Sequence, residues 1–127
     1  MNLKEYVIHK RRHFHEYPET GFDCVNTSEY IKKELVLLGV DSIEIVGKHS
    51  IVATIKNGEG KVIGLRADFD ALNITEETGL SFSSKNQGVM HACGHDAHTA
   101  MLLGACKYLI ENKGLWHGEV KFIFQEA

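Results

Sequence analysis

Ile43-Glu-Ile-Val46, Ile51-Val-Ala-Thr-Ile55 and Val62-Ile-Gly-Leu-Arg-Ala67 are three short runs rich in β-branched residues, each bounded by turn-forming residues. Runs of this length and make-up read as strands. Asn57-Gly58-Glu59-Gly60 lies between the second and third. Asn and Gly accept positive φ at low cost, so these two strands are expected to pair as a hairpin. A fourth run, Val120 to Phe124, is apolar on both faces and reads as a central strand covered on both sides.

Helices fill the sequence on either side of these strands. Leu3, Tyr6, Val7 and Phe14 recur at near-helical spacing ahead of Pro18, which predicts a helix over Leu3 to Glu16. A second helix is expected from Asn26 as its cap, with Tyr30, Ile31, Leu35 and Leu38 on one stripe and Gly39 as a left-handed C-terminal cap. From Asp96 onward, Met101, Leu102, Ala105, Tyr108 and Leu109 form a third helical face, closed by Asn112-Lys113-Gly114. The order ααβββαβ indicates an α/β fold, a three-layer mixed sheet with helices on both faces. Residues Asp70 to Val89 form a polar connection longer than packing needs, and long ordered loops often carry function.

At 127 residues the chain is one domain or a piece of one. A formal charge of -3 gives no electrostatic reason to expect nucleic acid or an anionic membrane as partner, and a small-molecule substrate stays open. Met1 to Arg12 contain no continuous apolar stretch, so neither a secretory signal nor a membrane span is expected, and the expected location is cytoplasmic. Cys24, Cys93 and Cys106 are odd in number and lack a framework spacing. Each is a free thiol, a buried small hydrophobe or a metal ligand.

Chemistry concentrates in Met90-His91-Ala92-Cys93-Gly94-His95-Asp96-Ala97-His98. Cys93 and His95, two apart, share a side only if the backbone there is extended, and then both can face one ion. Thiolate and imidazole suit zinc and other borderline transition metals. The same residues also read as packing or surface groups, and His91 and His98 either orient a ligand or bond locally. In Leu65-Arg66-Ala67-Asp68-Phe69-Asp70-Ala71-Leu72, two acids follow a strand, where α/β sheets carry their active sites. The ordinary alternative is that they cap a turn. Arg11 to Glu19 read as the basic end of a helix, whose cations complement the macrodipole, with no catalytic role inferred.

Together these stretches resemble the metal-dependent family of aminoacylases, hippurate hydrolases, plant auxin-conjugate hydrolases and N-acetyl-diaminopimelate deacetylases. Arg11-Arg12 through His15 and Pro18-Glu19 match its opening motif, Leu65 to Leu72 its Arg-Ala-Asp-x-Asp-Ala-Leu motif, and Met90 to Leu103 its His-Ala-Cys-Gly-His-Asp-x-His segment. The resemblance implies the N-terminal part of a zinc-peptidase-like catalytic domain that cleaves the amide bond of N-acyl amino acids with two divalent ions, Zn, Mn, Ni or Co. It implies Cys93 and His95 as metal ligands and Asp70 as a supporting acid. Asp68, His91, Asp96 and His98 are expected around them.

In the family the general base is one of an adjacent Glu pair in Phe-Gln-Pro-Ala-Glu-Glu. Here Phe124-Gln125-Glu126-Ala127 places Glu126 at the Pro position, and both glutamates fall beyond Ala127. The expectation is a truncated catalytic domain over 1–127, without the inserted dimerisation domain and C-terminal part through which the full enzyme would form a homo-oligomer. Asn73, at a usual Pro, and the Cys24 region, often acidic in the family, also depart from the pattern. Such a chain is expected to be inactive by itself. Ending on a central strand, it is also expected to expose an unpaired edge and associate. The alternatives are a non-catalytic metal- or ligand-binding module of the same fold and a purely structural domain.

Overall fold

The computed structural model describes all of residues 1–127. Helix α1 spans Leu3–Glu16, the range expected, and opens on a capping box in which Asn2 Oδ1 accepts from Glu5 N and Glu5 Oε2 accepts from Asn2 N. Helix α2, Val25–Leu38, starts before Asn26, which is therefore not its cap. The Glu19 carboxylate caps it from outside, accepting from Asn26 N at 3.3 Å and Thr27 N at 2.6 Å. Gly39 ends α2 in the left-handed conformation, φ 87°, as expected.

Strands β1 (Ser42–Val46), β2 (Ser50–Asn57), β3 (Val62–Asp68) and β4 (Gly118–Gln125) form one mixed sheet in the order β1-β2-β4-β3. The expected β2–β3 hairpin does not form. β4 lies between them, antiparallel to β2 and parallel to β3. The Asn57–Gly60 signal does mark a chain reversal, but one opened wide enough to admit a third strand. Its glycines serve that close approach: a Cβ on Gly118 would lie 2.5 Å from Lys61 O, and one on Gly60 would lie 3.0 Å from Gly118 Cα. Asn57 Nδ2 donates to Lys113 O and Trp116 O, tying the segment that feeds β4 to the end of β2.

In β4, Val120, Phe122 and Phe124 are buried opposite Ile55, Ala53 and Ile51 of β2. Phe14 of α1, Ile31 and Leu35 of α2, and Leu103 and Cys106 of α3 (His95–Glu111) join them in one core. The chain is thus the expected α/β mixed sheet, but all three of its helices join one core on the same face, where helices on both faces were expected. On the other face Val52, Lys121 and Ile123 are half-buried, so β4 is central but not covered on both sides by this chain's helices. β4 is paired along both edges, so the expected free edge at the last strand is absent, and the outer strands are β1 and β3. Exposed apolar surface lies on β3 instead, at Val62 and Ile63. Helices α1 and α3 pack against each other at Gly104, where a Cβ would lie 2.5 Å from Val7 Cγ2.

Candidate metal centre

Asp68 ends β3, and Phe69 N continues the ladder by donating to Gln125 O. Phe69 is buried, so alternation along the extended chain turns Asp68 and Asp70 to the opposite side. Reciprocal bonds between Leu72 and Met90 (2.9 Å each) close the base of the long loop and bring the two acids beside the Cys-Gly-His segment. His95 Nδ1 lies 3.0 Å from both the carbonyl oxygen and Oδ1 of Asp70. With Nδ1–H donating to Asp70, the Nε2 lone pair stays free for a cation. Nε2 is 3.8 Å from Asp68 Oδ2, while Asp68 Oδ1 accepts from Arg66 Nη2 at 2.7 Å.

The backbone between the two candidate ligands is not extended. Cys93 sits in a bend, Gly94 takes φ 111°, and His95, not Asp96, is the first residue of α3. Gly94 is therefore the left-handed residue that turns the chain into the helix. The Cys93 thiol is free and exposed, whereas Cys24 and Cys106 are fully buried and burial pushes both thiols up to about 12. His98 is exposed, its ring 6.0 Å from that of His95. His91 is buried with no hydrogen-bond partner on either nitrogen. Burial pushes its pKa below the ordinary histidine value against the pull of the Asp96 carboxylate.

Asp96 faces away from this pair. It is 2 % exposed, and its Oδ2 accepts from Arg11 Nε at 2.9 Å and His15 Nδ1 at 2.8 Å. His15 Nε2 in turn lies 3.0 Å from both carboxylate oxygens of Glu76. Burial raises the Glu76 pKa, but hydrogen bonds from Thr78, His15 and the Ser84 N–H outweigh it and hold the carboxyl at about 2. His15 thus bridges the two acids, with Nδ1 on Asp96 and Nε2 on Glu76, and Arg11 adds a second contact to Asp96. The Arg11–His15 segment, read from sequence as a solvated basic end, is thus part of the site's support. Glu76 gave no sequence signal beyond its place in the long loop.

Glu126 is buried and turned to the β1–β2 turn, where Oε2 accepts from His49 N at 2.7 Å and Oε1 has no partner. That carboxylate fixes a turn. No group of three or more His, Cys, Asp and Glu side chains in residues 1–127 is gathered closely enough to hold a metal ion. Cys93 and His95 fit a borderline divalent cation in donor type, as a partial set.

An imidazole held by a carboxylate at the carboxyl end of a strand in a mixed sheet, two residues along the chain from an exposed thiol, is the kind of donor set that metallohydrolases build. The chain belongs to peptidase family M20/M25/M40, whose pattern matches residues 64–127. It is 47% identical to thermostable carboxypeptidase 1 of Saccharolobus solfataricus over 98% of this chain and 32% of the relative. It is 45% identical to N-acetyl-L-cysteine deacetylase of Bacillus subtilis over 98% of this chain and 30% of the relative. A dinuclear metal binding peptidase of the M20 family from Bacillus subtilis superposes with a TM-score of 0.88 at 42% identity, over 98% of this chain and 35% of that one. The chain spans about a third of the length of the curated relatives it matches. No helix is long and apolar enough to cross a membrane.

Proposed function

We propose that residues 1–127 are the N-terminal part of the catalytic domain of a cytoplasmic, metal-dependent hydrolase that cleaves the amide bond of small N-acyl amino acids. The observation that carries this reading is His95, held through Nδ1 by Asp70 at the end of β3, with the exposed Cys93 two residues before it in the chain. Cys93 would give a thiolate and His95 its Nε2 to a divalent ion, Zn, Mn, Ni or Co, with the remaining donors and the general-base Glu outside these residues. A bound pair of such ions supplies an acidified water and a polarised carbonyl. Asp70 keeps the His95 proton on Nδ1. Asp68, His91 and His98 surround the pair, and Asp96 anchors the helix that carries His95. An inserted domain and homo-oligomeric assembly belong to the full-length enzyme.

A chimera in which these residues replace the matching part of the Bacillus subtilis N-acetyl-L-cysteine deacetylase tests the reading. Metal-dependent deacylation by the chimera, lost in Cys93→Ala, is the expected result, with the 127-residue chain itself inactive. An inactive chimera that folds and loads metal would overturn it. The lack of a third donor within these residues weighs against the second reading, a non-catalytic metal- or ligand-binding module. That reading requires tight one-to-one metal binding by the chain alone, abolished by Cys93→Ala.

A further inference from the structure

We propose that His15 is a positioning residue: clamped between Glu76 of the long loop and Asp96 of α3, it sets the first turn of α3 and thereby seats His95 against Asp70. The inference rests on the reading of His95 as a ligand, because its seat matters only if its Nε2 has a task.

Three separate elements converge on this imidazole. It projects from the last turn of α1 and is 2 % exposed. Nδ1 meets Asp96 Oδ2 at 2.8 Å, and Nε2 meets both Glu76 oxygens at 3.0 Å. Asp96 directly follows His95, and its Oδ1 accepts from Ala97 N at 2.9 Å, so the same carboxylate grips its own helix. The N-cap of α3 is Gly94, with no side-chain cap of its own. The start of α3 is therefore held laterally from two sides, by α1 through Arg11 and His15 on Asp96 and by β3 through Thr99 Oγ1, which donates to Asp68 O at 2.9 Å.

The loop completes the clamp. Glu76 also accepts from Ser84 N at 2.8 Å and from Thr78 Oγ1, and Phe82 packs against His15 and under Arg12. The imidazole presents one ring nitrogen to each of two acids on opposite sides; a glutamine of similar reach has both of its polar atoms at one end of the side chain and cannot span them in that way. A helix start without a cap is where local opening is easiest, so removing the anchor releases the turn that holds His95.

The test uses the whole 127-residue chain without metal. Long-range 1H–15N correlation spectra report the His95 tautomer, and amide exchange reports the His98 N–H, which bonds Gly94 O at 3.0 Å across the first turn. Wild type is expected to show Nδ1-protonated His95. His15→Gln is expected to show mixed tautomers and exchange at His98 faster by about tenfold or more, with Cys106 in mid-helix unchanged. His9→Gln, an exposed histidine on the same helix, should match wild type. Wild-type tautomer and protection in His15→Gln would overturn the clamp, and Glu76→Gln is judged by the same criteria if His15→Gln loses its cooperative melt. A His95 without a proton on Nδ1 in wild type would instead sink the ligand reading, so the two failures are distinguishable.

Discussion

His95 Nδ1 meets Asp70 twice, at the main-chain carbonyl and at Oδ1, each at 3.0 Å. The side-chain contact can be deleted and the main-chain contact cannot. Asp70→Ala is therefore expected to weaken metal binding at the lower end of the roughly 10–100-fold range typical of partners behind a ligand. Competition with a chromogenic chelator, on the chimera that supplies the remaining ligands, measures this. Unchanged affinity would remove Asp70 from the site.

The three thiols differ enough to be counted separately. Cys93 is exposed, while Cys24 and Cys106 are fully buried with thiol pKa values pushed up to about 12 by burial. The thiolate is the reactive form, so at neutral pH the native chain should present one fast thiol to an aromatic disulfide reagent and all three after denaturation. Cys93→Ser should abolish the fast phase. A fast phase of two or three thiols would contradict the packing of α2 and α3 on the sheet.

Local pattern made much of this molecule legible, and the failures share a cause. Leu3–Glu16 and the Gly39 cap were readable because their signals lie within a few residues of the structure they specify. The β2–β3 hairpin expected from Asn57 to Gly60 does not form because those residues specify a reversal without its width, and the inserted strand begins far along the chain at Gly118. Cys93 and His95 stood out by residue type, but the bend between them depends on Gly94 at φ 111°. His15 and Glu76 are distant in sequence, and only the folded loop joins them. Glu19 acting as the cap of α2 was hidden for the same reason.

Gly104 offers a test of packing between α1 and α3. A Cβ there would fall 2.5 Å from Val7 Cγ2. Alanine gains about 1 kcal/mol of helix propensity over glycine, but overpacking of this kind costs about 1–3 kcal/mol. Gly104→Ala should therefore be destabilising in urea unfolding despite the better helix former. The clash is with a side chain, so adding Val7→Ala should recover part of the loss, giving a favourable coupling in a double-mutant cycle. Strictly additive changes would mean that the helices already part at this point.

The Glu76 carboxyl sits at about 2, below its ordinary 4.5, because the bonds from Thr78, His15 and Ser84 N outweigh the opposing effect of burial. A depressed carboxyl pKa contributes stability that is fully present above the unfolded value and is lost as pH falls through the folded value. Comparing wild type with Glu76→Gln isolates this contribution, since the other carboxylates titrate in both chains. Wild type should be the more stable at pH 7, and the gap should narrow below about pH 4.5 and close near pH 2. Urea midpoints across that range measure it. A gap that stayed constant down to pH 3 would mean that the carboxylate charge does not hold the loop on His15, leaving only the shape of the side chain to do so.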